Sequence, residues 1–126
     1  MVKREVKSCK FHVVWIPKYR KNFLRGLIKF WVEKSIREEA NKLNVVIENI
    51  EVMPDHVHLF ISIKPQDSIS NVVQKLKGFS SHETRKRLNL YKYKGFWTNG
   101  FYCESVGHIS ESTIKKYIDS QWEHNI

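Results

Sequence analysis

Along residues 9–16, "CKFHVVWI", apolar and polar positions alternate until Pro17, and a period of two predicts a strand. Residues 23–43 switch to a helical period. Leu24, Leu27, Ile28, Trp31, Ile36, Ala40 and Leu43 fall on one side and the charges on the other. Two strands follow, over 45–52 and 56–63, joined tightly around Met53, Pro54 and Asp55. A second helix is predicted over 68–88, with Ser68 or Asp67 as its N-cap. A fourth strand spans 101–106 and is broken by Gly107; a last helix is capped by Ser110, with Glu111 in its first turn. The order β-α-β-β-α-β-α predicts an α+β fold. It is a ferredoxin-like antiparallel sheet with helices on one face, plus a C-terminal helix.

The chain of 126 residues fits one domain, 1–126, and is long enough for a core without disulfides. Its two cysteines, Cys9 and Cys103, form no CxxC pair. No apolar run approaches the roughly 20 residues of a membrane span, and the basic N-terminus lacks the apolar stretch of a signal peptide. A cytoplasmic setting is expected, with no membrane partner. Charge narrows the picture further. Twenty-two Lys and Arg against 13 Asp and Glu give a net +9, which favours a polyanionic partner such as nucleic acid.

Candidate chemistry lies in two places. In "PDHVHLF", His56 and His58 sit one residue apart on a strand and so share a face, Cα atoms roughly 6–7 Å apart. They are close enough to hold one metal ion, or each simply finds its own backbone or solvent partner. Val57, Leu59 and Ile61 point the other way. On the last helix, Tyr117 and Gln121 lie one turn apart beside an apolar stripe of Ile114, Ile118 and Trp122. That places Tyr117 at the boundary of the buried face, with its ring supported and its hydroxyl accessible. His12, His82, His108 and His124 have no motif partner and read as surface or incidental core residues.

Together these segments resemble a known family. "MPDHVHLF" matches the HUH motif (His, hydrophobic, His), and "STIKKYIDSQ" is similar to the catalytic helix of single-tyrosine HUH transposases of minimal insertion sequences. "FHVVWIPKYRK" and "VVQKLKGFSS" extend the resemblance over nearly the whole chain. It implies cleavage and rejoining of single-stranded DNA through a 5′-phosphotyrosine. His56, His58 and Gln121 would be the metal ligands and Tyr117 the nucleophile. The metal would be Mg²⁺ or Mn²⁺, with histidine ligation tilting toward Mn²⁺. It further implies hairpins at element ends as the DNA partner. A homodimer is implied too, whose tyrosine helix can dock on the partner, Gly107 acting as hinge. An unperturbed tyrosine has a pKa near 10, so a proton acceptor is needed; Lys116 and His108 are candidates.

For DNA contact the basic stretches are Lys3, Arg4, Lys7 and Lys10; then Lys18, Arg20, Lys21 and Arg25; then Arg85, Lys86, Arg87, Lys92 and Lys94. The last set is interleaved with Tyr91, Tyr93, Phe96 and Trp97, which serve either core or dimer packing or base stacking. Three other readings compete with an active mobile-element transposase. One is a domesticated relative acting on chromosomal palindromic repeats, disfavoured by Asp55 where such relatives usually carry Asn. The others are a non-catalytic ferredoxin-like nucleic-acid-binding module and a replication-initiation nuclease, the last disfavoured by the short chain.

Overall fold

The computed structural model describes residues 9–91, 95–106 and 117–121. Strand β1 (Cys9–Trp15) leads through a 3₁₀ turn (Lys18–Arg20) to helix α1 (Gly26–Lys42). Strands β2 (Val46–Met53) and β3 (His56–Ile63), helix α2 (Ile69–Leu88) and strand β4 (Tyr102–Ser105) follow. The sheet order is β2-β3-β1-β4 with every neighbour antiparallel, the ferredoxin-like arrangement. The readings that fall on Lys92, Tyr93, Lys94, Gly107, His108, Ser110, Glu111, Ile114, Lys116, Trp122 and His124 lie outside the described residues, as do Lys3, Arg4 and Lys7.

Alternation in β1 and β3 sends Val13, Trp15, Val57, Leu59, Ile61 and Ile63 into one core. Val32, Ile36 and Ala40 of α1 and Val72, Val73 and Leu76 of α2 close it from the same side. Both helices therefore cover one face of the sheet and leave the other open. β2 and β3 meet in a two-residue turn at Pro54 and Asp55, with Met53 opposite His56.

Helix α1 starts three residues later than its sequence period suggests. Gly26 takes a left-handed φ of +57° after an extended Arg25, a break that glycine accommodates without steric cost. Leu24 is thereby freed to anchor the β2–β3 turn: its amide donates to the Pro54 carbonyl (3.0 Å) and its side chain is buried. Leu27, expected on the apolar face, is 66% exposed beside an exposed Phe30; Ile36 and Ala40 are buried as expected, and Val32 and Ser35 join them. Ser35 tolerates burial because its hydroxyl donates to the Trp31 carbonyl (2.6 Å).

Helix α2 is capped as expected, Ser68 Oγ accepting from the Asn71 amide (3.3 Å). Asn89, left-handed at φ 57°, ends it. Arg85, Lys86 and Arg87 fill the last turn, where cations favour the helix dipole.

The loop before β4 is held from both sides. The Thr98 amide donates to the Ile16 carbonyl and the Lys18 amide to Phe96 (both 3.0 Å), while the Trp97 indole donates to the Lys77 carbonyl (3.1 Å). Phe96 and Trp97 are core residues, Trp97 meeting Trp15 edge-on. Lys77 Nζ donates to the carbonyls of Thr98 (2.8 Å) and Gly100 (2.7 Å), and burial pulls its pKa down to about 8. Among the described residues no helix is long and apolar enough to cross a membrane.

Because this ammonium satisfies two loop carbonyls, Lys77→Met is expected to lower unfolding free energy by about 1–3 kcal/mol in urea titration. A loss below about 0.5 kcal/mol would show that the clamp contributes little.

Candidate active site

The open face of the sheet carries the polar alternates of the core positions. Directly opposite residues in an antiparallel ladder share a face. Glu51 lies across from His58, His58 across from Val14, and Val14 across from Tyr102, so one row runs over all four strands. The next row holds Asn49, Phe60, His12 and Glu104. His56 and His58 thus share the solvent-side face, as their spacing predicts, each partly buried.

Each imidazole has defined neighbours. His56 Nδ1 lies 2.9 Å from Asp55 Oδ1. An ionised carboxylate only accepts, so Nδ1 carries a proton and Nε2 is the nitrogen left to face a cation. This is the carboxylate–histidine pairing that prepares a ring to bind a metal. His58 stands between two groups: Glu51 Oε1 is 3.9 Å from its Nδ1, and His12 Nδ1 is 3.1 Å from its Nε2. Burial lowers the His58 pKa below 6.5, His12 lowers it further, and Glu51 partly opposes them. The ring is accordingly neutral at pH 7, the state that ligates cations.

His12, which sequence spacing reads as an incidental residue, is in fact part of this cluster. Its ring stacks on Phe60 (centroids 4.6 Å apart, planes at 14°) and touches His58. Motif spacing held no trace of this, because the contact depends on how β1 registers against β3. His82, by contrast, is exposed as expected.

Residues 117–121 are helical. The Tyr117 ring packs on Tyr102 at 5.4 Å, which places it over the β4 side of the same open face. Tyr102 in turn donates its hydroxyl to Glu104. The expectation that the Tyr117 hydroxyl is accessible fails: it is buried and has no hydrogen-bond partner among the described residues, so it is bonded to neither His56 nor His58. The reason is the depth of the docking, with Ile118 buried next to it. Burial pushes the phenol pKa up to about 12. Gln121 is half-buried one turn further on.

The donor set suits a divalent cation: two imidazoles, one paired with a carboxylate, with Glu51 adjacent. Among the described residues, no three His, Cys, Asp or Glu side chains converge on one point, so further ligands must come from Gln121, solvent or substrate oxygens.

Of the candidate DNA-binding cations, Lys10 shares the histidine face, its ammonium 5.9 Å from the centre of the Phe60 ring; the sets on α2 and after β1 lie elsewhere. Arg85, Lys86 and Arg87 end α2, in the helix layer on the other side of the sheet from the histidines. Arg87 pairs with Glu83 (3.1 Å) and lies over the Trp31 ring, and Arg85 Nε donates to the Ser81 carbonyl. Arg20 and Lys21 belong to the turn after β1, at the end of the sheet where β3 begins.

Comparison with known proteins gives this face a context. The family profile described as "Transposase IS200 like" matches residues 5–121. The transposase for insertion sequence element IS200 of Salmonella typhimurium is 33% identical over 94% of this chain and 80% of its own length. The ISDra2 transposase TnpA of Deinococcus radiodurans is 32% identical over 92% of this chain and 86% of its own. A solved transposase structure from Deinococcus radiodurans superposes with a TM-score of 0.87 at 26% identity, covering 96% of both chains. A REP-associated tyrosine transposase bound to a REP hairpin shares the fold, with a TM-score of 0.64 at 14% identity over 94% of this chain and 68% of that one. With the family profile spanning both the histidine strand and the tyrosine helix, this chain belongs to the IS200-like transposases.

Proposed function

We propose that this transposase cuts and rejoins single-stranded DNA at insertion-sequence ends, with Tyr117 as nucleophile and His56, His58 and Gln121 holding a divalent cation, Mg²⁺ or Mn²⁺. The observation that carries this reading is the packing of Tyr117 over the sheet face that bears both imidazoles. In the reaction, Tyr117 Oη attacks a backbone phosphorus and the 3′ oxygen leaves as a 3′-hydroxyl, giving a 5′-phosphotyrosine. Attack by another strand's 3′-hydroxyl reverses the step and frees the phenol, so no external energy source is consumed. A bound cation would neutralise the phosphate's charge against the incoming oxygen.

The chain's own groups do the rest. Asp55 engages His56 Nδ1 and leaves Nε2 as the nitrogen for a cation. The buried phenol is a stored nucleophile, protonated at working pH, and becomes reactive when it leaves its pocket against Tyr102 or meets a base. The net charge of +9 supports DNA as the partner. The same reading includes DNA hairpins and a homodimer hinged at Gly107, in a cytoplasmic setting.

Incubation with hairpin-bearing single strands and Mn²⁺ should give a covalent protein–DNA adduct. Tyr117→Phe should lower its yield at least about a thousandfold while hairpin affinity stays within about twofold. An adduct from the Phe variant would assign the nucleophile elsewhere, and hairpin binding with no adduct from the unaltered chain would leave a nucleic-acid-binding module.

With the phenol at about 12, about one Tyr117 in a thousand is ionised at pH 9 and fewer below it. Ionisation before attack therefore predicts that single-turnover adduct formation rises about tenfold per pH unit from 7 to 9. A flat profile would mean that a base with a lower pKa takes the proton during attack.

A further inference from the structure

We propose that Tyr19 is a stacking seat for an unpaired base of the DNA strand that runs to the histidines. This rests on the single-stranded DNA reading above and adds to it a contact outside the cation site. Among the described residues three that are not glycine take a positive φ: Tyr19 (62°), Asn44 (58°) and Asn89 (57°). Asparagine enters that left-handed region readily, whereas a bulky aromatic residue there is strained. Asparagine or glycine would make this turn with less strain, so the turn alone does not call for tyrosine.

The neighbours hold the conformation. The Lys18 amide donates to the Phe96 carbonyl (3.0 Å), Pro17 bridges to Trp97, and Lys21 is extended. The ring gains no core packing in return, because Tyr19 is 54% exposed. Backbone strain that persists without burial of the side chain points to a functional use of that side chain.

Place and charge say what the ring meets. The turn follows the end of β1, where Trp15 lies opposite Val57, and beyond it Leu24 is tied to Pro54, two residues before His56. Tyr19 therefore sits at the end of the sheet where the histidine strand starts. From residue 6 to residue 32 the chain has no Asp or Glu, while Lys18, Arg20 and Lys21 flank the ring in sequence. Lys18 Nζ lies over it, 5.4 Å from the centroid. An exposed aromatic ring beside cations is how proteins hold single strands, with phosphates on the charges and a base on the ring. A base-paired stem offers no free base face, so this seat selects the unpaired segment beside a hairpin.

The test uses the full chain and two labelled probes, a DNA hairpin with unpaired flanks and the same hairpin with blunt ends, read by fluorescence anisotropy. Tyr19→Ala and Tyr19→Gly should weaken binding of the flanked probe at least about fivefold, with the blunt one held within about twofold and Tyr19→Phe binding as the parent does. The urea midpoint of Tyr19→Gly should equal or exceed the parent's, since glycine relieves the strain, so its lost affinity is not lost folding. Photo-crosslinking from 5-iodouracil in the flank should join Tyr19. If Tyr19→Ala binds the flanked probe as the parent does, or the cross-links fall only on other residues, the proposal is overturned while Tyr117 and the cation site stand. Equal weakening on both probes also overturns it, because the ring would then serve the stem. If the parent binds neither probe, this proposal and the DNA-cleavage reading fall together.

Discussion

Val13 lies opposite Leu59 and Val14 opposite His58, and much of the chain's behaviour follows from that one pairing of β1 with β3. In a strand, a slip of one residue sends every side chain to the other face. Here a slip would bring His12, His56 and His58 under the helices and expose Val13, Val57 and Leu59, all fully buried as they stand. Each such apolar side chain contributes about 1.5–3 kcal/mol by burial, so the register is held by the core. The chemistry on the open face is a consequence of hydrophobic packing on the other.

That consequence is specific. Parity puts the two motif histidines on the open face, and the cross-strand ladder decides which groups they meet: Glu51 from β2, His12 and Val14 from β1. Leu24 ties the loop after β1 to the turn that launches β3, so the end of the sheet nearest His56 is braced from two directions. The Lys77 ammonium holds the loop that delivers β4, and β4 supplies Tyr102, on which Tyr117 rests. The tyrosine and the histidines reach the same face by separate routes through one core.

Much of this was legible in the residues. The alternation of β1 and β3, the cap at Ser68 and the tight turn at Pro54 and Asp55 are local signals, and local physics governs them. The start of α1 is not legible because a left-handed Gly26 and an anchored Leu24 set it, and that anchoring depends on a turn thirty residues away in sequence; Leu27 falls in the first turn, where the helix leaves it exposed. His12 escaped notice for a related reason: a histidine in a strand has no visible partner until the strand across from it is known. The Tyr117 hydroxyl was misplaced because helical spacing says which side a residue faces, not how deeply the helix docks. The family resemblance, carried by "MPDHVHLF" and the Tyr–Gln spacing, covered the chain as widely as the comparison with the Salmonella and Deinococcus transposases does.

The central claim is that a cation binds where β1 and β3 meet on the open face. Anomalous diffraction from crystals of the protein soaked in Mn²⁺, collected on both sides of the manganese edge, tests this directly. The account predicts one strong manganese peak within bonding distance of His58 Nε2, on the side of the sheet where Tyr117 packs. A peak confined to other residues, or none at saturating Mn²⁺ in crystals with this face open to solvent, would contradict it.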